Sequence, residues 1–402
     1  MLNSITPDLF INDPYSIFNT ARENNPVLFG NFLNSTGWLI TGYKEAEFVL
    51  KDPRFIKEGR KLFPPEALAT FSERVMPAIA LTRNMMLFRD APDHTRLRNL
   101  VNKAFTPKMV ERLRPAIEDI SSYLLTARKG QSQHELIRDF SYLLPVFVIT
   151  ELLGVPKEDR ELFRKWSDAF IKFIDFNTTM DDLESVSDDL KEASNYFREL
   201  ISKKRITPQE DLLSGLIQAE ANGDNLNEDE MIATCLLLLV AGHETTVNLI
   251  TNAYYLLLTH PEQLKLVQED RSLISNVVEE TLRFEPPVLM TSRWVAEDME
   301  LAGQQLKKGQ IAFISLAGAN RDPLVNADPN SFNILRESIK HLSFASGPHF
   351  CLGAPLARLE GIIALEKLVE CFANPRLLEK PVWRKNFAFR GFEALHFEAE
   401  TR

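Results

Sequence analysis

The chain has 402 residues, 45% of them hydrophobic and 25% charged, a globular balance with enough apolar material for a sizeable core. A formal net charge of −10 argues against a nucleic-acid partner, because such binding depends on Lys and Arg neutralising phosphates. Three cysteines, Cys235, Cys351 and Cys371, form neither a disulfide framework nor a Cys-x-x-Cys pair, which suits a reducing compartment.

The first residues, Met-Leu-Asn-Ser-Ile-Thr-Pro, lack the basic and apolar regions of a signal peptide. No stretch approaches the roughly 20 consecutive apolar residues that span a bilayer, so a soluble, cytoplasmic protein with no membrane partner is expected. Without a Gly/Ser linker, a low-complexity stretch or an internal repeat, residues 1–402 are expected to form a single domain. Its fold class is mainly α with small β-sheets (α+β). The β-rich part falls around 27–60 and 290–320 plus C-terminal strands.

In chain order, β-like runs at 27–33 and 38–41 flank Asn34-Ser35-Thr36 and predict a hairpin. Helical spacing predicts helices over 46–50, 95–105, 108–127, 142–153, 157–173, 189–203 and 210–220. His94 and Arg98 stand at i,i+4 on one helix face after Ala91-Pro92-Asp93. Asn227 followed by Glu230 predicts a capped helix with no breaker before Pro261, about 30 residues and roughly 48 Å long. Its middle is apolar on every face and therefore buried, yet it contains Ala241-Gly242-His243-Glu244-Thr245-Thr246. A mid-helix glycine costs about 1 kcal/mol, and a buried carboxyl is costly unless hydrogen-bonded. Local rules broken at one place mark a candidate functional site.

Glu280 and Arg283 share an i,i+3 spacing that also occurs at Glu111/Arg114, Glu135/Arg138 and Glu161/Arg164, so spacing alone says little. Strands are predicted at 294–301, 310–315 and 395–397, with Arg293 entering the first. After Leu352 the apolar residues return at helical spacing, placing Cys351 at or just before a helix N-terminus, where the free N–H groups favour a thiolate. Gly347 and Gly353 flank the cysteine and permit tight turns and close approach of a flat ligand. His349 lies two residues before it, where an extended backbone would point both side chains the same way. An isolated cysteine is most often an inert buried residue. The ordered run Phe344-Ala-Ser-Gly347-Pro-His349-Phe-Cys351-Leu-Gly353 reverses that expectation.

This Phe-x-x-Gly-x-His-x-Cys-x-Gly pattern resembles the haem-binding loop of the cytochrome P-450 superfamily, and the resemblance extends from about Asp13 to Leu395. It implies one P-450 domain with haem between a long central helix and the Cys-ligand helix. The cofactor would be heme b (iron protoporphyrin IX) with Cys351 as its axial metal ligand, within a loop formed by Phe344, Gly347 and Gly353. The run 241–246 is similar to the superfamily's Ala/Gly-Gly-x-Asp/Glu-Thr motif. By that likeness Ala241 and Gly242 lie where haem approaches the backbone, Thr245 hydrogen-bonds during oxygen activation, and Glu244 relays protons from solvent. His243 holds the variable position and has no role assigned. Glu280/Arg283, followed by Pro286-Pro287, resembles the family's Glu-x-x-Arg helix and would form a structural triad with Arg336. His94, Arg98, Arg293 and His349 match the family's propionate ligands.

The resemblance further implies a monooxygenase that hydroxylates an apolar substrate. Electrons would come from NAD(P)H through a ferredoxin or flavodoxin and a reductase, since the chain holds no dinucleotide fingerprint and no iron–sulfur cysteine set. Lys103, Lys108, Arg112, Lys340 and Arg358 are the candidate docking cations of a monomer. Pocket candidates by position are Met85, Met86, Phe173, Leu237, Leu289, Met290, Thr291 and Phe392, within segments 60–86, 163–176, 237–245, 289–291 and 391–392. The runs 85–88 and 241–250 look most like two bacterial groups, the fatty-acyl-oxidising enzymes of biotin synthesis, which act on carrier-protein-bound chains, and macrolide/polyketide hydroxylases. The expectation leans to a fatty acid or acyl chain, with macrolide/polyketide or terpenoid/steroid hydroxylation as the alternative. A non-catalytic haem-thiolate ligand-binding or sensor protein is the alternative of another class. Glu244-Thr245 weighs against a peroxygenase.

Overall fold

The computed structural model describes residues 5–32, 35–64, 72–175, 178–221 and 226–402. Side-chain caps start the first two helices: Thr6 accepts from the Leu9 N–H and Asp13 from the Ser16 N–H, each just ahead of a proline in the first turn. These are α1 (Pro7–Asn12) and α2 (Pro14–Asn24). Strands β1 (Val27–Phe32) and β2 (Ser35–Ile40) pair antiparallel with Phe32 opposite Ser35; Leu33 and Asn34 of the expected hairpin lie outside the described residues. There follow α3 (Tyr43–Lys51), β3 (Phe55–Ile56), α4 (Met76–Arg83) and α5 (Asp93–Ala104). The helix expected over 108–127 is divided into α6 (Pro107–Arg112) and α7 (Arg114–Thr126), because Pro115 has no N–H with which to continue the first.

After β4 (Gln133–Glu135) come α8 (Leu143–Leu153), α9 (Arg160–Ile174) and α10 (Met180–Ile206). The last begins nine residues before its expected start, at a capping box in which Thr179 and Asp182 satisfy each other's backbone N–H groups. Next are α11 (Leu212–Ala221) and α12 (Glu228–Thr259). The expected capping box opens α12: Glu230 N–H donates to Asn227 Oδ1 at 2.9 Å and Asn227 N–H to Glu230 Oε2 at 3.0 Å. An 18-residue stretch of α12 reaches a mean hydropathy of 1.4, enough by length and composition to cross a membrane, which corrects the reading that no segment qualifies. Burial of 78% of that stretch within the protein identifies its apolarity as core packing.

Helices α13 (Pro261–Glu269) and α14 (Ile274–Phe284) lead into β5 (Met290–Val295), β6 (Met299–Leu301), β7 (Gln304–Leu306) and β8 (Ile311–Ser315). The single strand expected over 294–301 is thus broken. Ala302 (φ 49°) and Gly303 (φ 77°) make a two-residue turn with both central residues left-handed, joining β6 to β7. The chain ends with α15 (Leu316–Asn320), α16 (Ala354–Cys371), β9 (Phe372–Leu377) and β10 (His396–Thr401). Helix predominates over small sheets, which is the expected fold class.

The elements form two compact units. The first comprises Met1–Ile56, Ile117–Leu144 and Thr245–Arg402. Its larger sheet has the order β1-β2-β8-β5-β3, with β2 and β8 parallel and its other pairs antiparallel. Val27, Ile40, Val49, Leu50, Val295 and Ile314 fill the core beneath it. In the same unit α14 packs against α16. The second unit comprises Lys57–Ala116 and Pro145–Glu244, where α9 packs on α10 through the rings of Phe163, Trp166, Tyr196 and Phe197.

Candidate functional site

In the first unit, the loop ahead of α16 is shaped by its own backbone. Ala345 (φ 57°) and Gly347 (φ 71°) both turn left-handed, and the Cys351 N–H closes the loop on the Phe344 carbonyl at 2.9 Å. A Cβ at Gly347 would lie 2.7 Å from the Leu50 carbonyl oxygen and 3.0 Å from the Lys51 Cα, so this glycine is required by conformation and by packing on the end of α3. At Gly353 an added Cβ would meet nothing within 4 Å, so the backbone just after the half-buried Cys351 is open to an approaching flat group. Gly347–His349 is a single 3-10 turn rather than extended chain, and the alternation argument for His349 therefore does not hold. Cys351 lies three residues ahead of the first residue of α16.

Partly buried polar contacts hold this loop. Glu279 accepts from His341 Nε2 at 3.1 Å and from two Arg358 nitrogens at 2.6 and 3.0 Å, while the Arg358 guanidinium lies 4.6 Å over the Phe344 ring. Burial alone would raise the Glu279 carboxyl, but the bonds from His341 and Arg358 outweigh it and hold the pKa at about 2. Arg358, one of the candidate docking cations, is half-buried in this clamp, and Lys340 is exposed. Glu280, Arg283 and Arg336 meet: both Glu280 oxygens accept from Arg283 at 2.7 Å, and Arg336 Nε donates to Glu280 Oε1 at 2.9 Å. Asn320 Oδ1 accepts from the Leu342 N–H at 2.6 Å and its amide donates to the Leu282 carbonyl at 3.2 Å, joining the helix of that triad to the cysteine loop. Sequence spacing carried no sign of the Glu279 clamp or of Asn320.

Arg293 enters on β5 at 2% exposure, its guanidinium donating to the Ser292 carbonyl at 2.8 Å. Leu289 and Met290 are buried and Thr291 is half-buried. Phe392 is a packing residue: its ring stacks on Trp383 with centroids 3.8 Å apart and meets Tyr255 edge-on at 4.7 Å. Its neighbour Gly391 presses on the long helix, where a Cβ would run into the Asn248 amide.

Helix α12 itself has a narrow accessible stripe. From Met231 to Tyr254 every residue is buried except exposed Ala241 and half-buried Gly242 and Thr245. The direction in which Gly242 lacks a side chain is toward Ile149 of α8, 3.4 Å from a built Cβ, so a methyl group would fit there. Glu244 is buried at 3% exposure. His243, assigned no role from its variable position, is fully buried with Nδ1 2.9 Å from Ser167 Oγ on α9.

In the second unit, His94 is buried and Arg98 half-buried one turn apart on α5. Met85, Met86 and Leu237 are buried and Phe173 half-buried; Phe176 and residues 65–71 of the pocket segments lie outside the described residues. Lys103, Lys108 and Arg112 are exposed.

Among the described residues no three His, Cys, Asp or Glu side chains gather as a multidentate metal site. One soft thiolate donor without companion ligands suits a metal that brings its own equatorial nitrogens, as haem iron does, and buried Arg293 supplies a cation of the kind that propionates need. On α12 the half-buried Thr245 follows directly on the buried Glu244.

The family model for cytochrome P450 matches residues 68–375. The biotin biosynthesis cytochrome P450 of Bacillus subtilis (strain 168) is 40% identical over 96% of both chains. The polyketide biosynthesis cytochrome P450 PksS of the same organism is 39% identical, again over 96% of both. A solved structure of P450BioI in complex with hexadec-9Z-enoic acid ligated acyl carrier protein superposes with a TM-score of 0.92 at 39% identity, covering 98% of this chain and 100% of that one. The chain belongs to the cytochrome P450 family and is a haem monooxygenase whose haem takes a cysteine thiolate and whose electrons come from external donors.

Proposed function

We propose that this monooxygenase hydroxylates a fatty acid or acyl chain, free or carried on an acyl carrier protein. The observation that carries this reading is the 0.92 TM-score likeness, over nearly all of both chains, to a P450 bound to a fatty-acyl-loaded carrier protein. The Met, Leu and Phe side chains of the pocket segments agree with an apolar substrate. A polyketide is the second reading, favoured by the 39% identity to PksS.

Bound haem supplies reductive activation of dioxygen, so that one oxygen atom enters a C–H bond and the other leaves as water. Cys351 would provide the thiolate, and His94, Arg98, Arg293 and His349 would hold the propionates. The Thr245 hydroxyl donates a hydrogen bond at the accessible stripe, and the Glu244 carboxyl next to it passes protons inward. Glu280, Arg283 and Arg336 hold the core that supports the cysteine loop. A ferredoxin or flavodoxin with its reductase delivers electrons to a monomer in the cytoplasm, with Lys103, Lys108, Arg112 and Lys340 as docking cations.

Titrating the ferric protein with free and carrier-bound fatty acids, and separately with macrolides, tests the substrate class. A low-to-high spin shift with acyl chains is the expected result. A shift with macrolides alone would replace the acyl reading by the polyketide one.

A further inference from the structure

On its buried face α9 presents Phe163, Trp166, Ser167, Ala169 and Phe170, and among these largely apolar side chains Ser167 makes a hydrogen bond to α12. An apolar helix face by itself tolerates small shifts along and around its axis. A single buried hydrogen bond does not, since separating the partners leaves polar atoms in a dry interface. Ser167 and His243 are both 0% exposed and 2.9 Å apart, so water has no access with which to replace the bond.

The bond falls at a particular place on α12. Ala241 opens to the accessible stripe, Gly242 faces Ile149 of α8, His243 reaches Ser167 of α9, and Glu244 follows directly. The turn carrying the acid and the threonine is therefore pinned by its neighbour in the chain. The same α9 carries Phe173, one of the proposed substrate-wall residues.

We infer that His243 is a positioning residue: its hydrogen bond to Ser167 fixes the axial and rotational setting of the helical turn that presents Glu244 and Thr245, and couples that setting to the seating of α9. The inference rests on the proposed roles of Glu244 and Thr245 and adds a residue to which neither chemistry nor cofactor binding is assigned. Substrate that seats α9 correctly secures the bond, and the bond holds the proton-delivering turn in register.

The test compares haem-loaded wild-type protein with Ser167→Ala, His243→Phe, the double variant and His243→Gln, whose amide can still bond Ser167. Hydrogen–deuterium exchange, which needs no turnover, is expected to quicken roughly tenfold in both single variants, at residues 160–174 and also at 241–246. Both single variants should keep the carbon monoxide spectrum of the wild type while releasing several-fold more peroxide per NAD(P)H. The double variant should be no worse than either single one, and His243→Gln should recover most of the coupling. Faster exchange confined to α9 with coupling intact, or additive losses in the double variant, would overturn the inference. Normal exchange coupling between the two segments in a wild-type protein that turns over no substrate would sink the functional reading and leave the latch standing.

Discussion

Glu280 and Arg283 are fully enclosed, both at 0% side-chain exposure, and face each other through two hydrogen bonds of 2.7 Å. Arg283 also donates to the carbonyls of Pro329 (2.8 Å) and Ser331 (2.9 Å), and Arg336 completes the group against Glu280. Two charges have left water here, and their retention depends on every lone pair and N–H finding a partner.

Removing Glu280 strands both arginines, and removing Arg283 leaves the enclosed Glu280 paired with Arg336 at one oxygen. Arg283→Ala is expected to cost about 3–5 kcal/mol, a large part of the roughly 5–15 kcal/mol that stabilises a typical domain, and to give insoluble or haem-poor protein. Replacing both residues together, Glu280→Met with Arg283→Leu, should be less damaging than Glu280→Met alone, which leaves the enclosed Arg283 without its carboxylate. Thermal unfolding and haem content measure both; a double variant worse than Glu280→Met would contradict a buried-charge explanation.

The Glu279 clamp predicts a pH effect. Its folded pKa, about 2, lies below the ordinary 4.5, so the stabilisation is complete above about pH 4.5 and lost as pH falls through that window toward 2. Glu279→Gln should lower Tm at pH 7, with the gap from wild type narrowing as pH falls from about 4.5 toward 2. A gap that stays constant with pH would mean that shape rather than charge is what Glu279 contributes.

Glu360, on α16, carries the opposite sign. It is 2% exposed, its Oε2 has no hydrogen-bond partner among the described residues, and burial pushes its carboxyl well above the usual range. The folded protein keeps this proton while the unfolded chain releases it above about pH 4.5, so stability falls as pH rises toward the folded pKa. Glu360→Gln should therefore raise Tm at pH 8 more than at pH 5. An equal change at both values would rule out a neutral Glu360.

What could be read from the sequence was local. Asn227 and Glu230 are three residues apart, and their reciprocal cap formed as expected. The Thr179/Asp182 cap is equally local, and it starts α10 nine residues ahead of the run of helical spacing that begins at Asp189. The cysteine run was legible because its residues are consecutive, yet the reason Gly347 must be glycine lies at Leu50 and Lys51, nearly three hundred positions away. Ser167 and His243 are 76 residues apart, and no periodicity in either helix marks them as partners. Arg358 read as a surface cation until its fold-brought carboxylate appeared. Contacts of this kind are set by tertiary packing and have no signature in spacing.

Whether Cys351 is the thiolate ligand of haem is tested most directly by the carbon monoxide difference spectrum of the dithionite-reduced protein. The wild type should show a strongly red-shifted Soret band that is lost in Cys351→Ser. A wild-type band at the position of histidine-ligated or protonated-thiol haem, or a red-shifted band that survives in Cys351→Ser, would contradict the assignment.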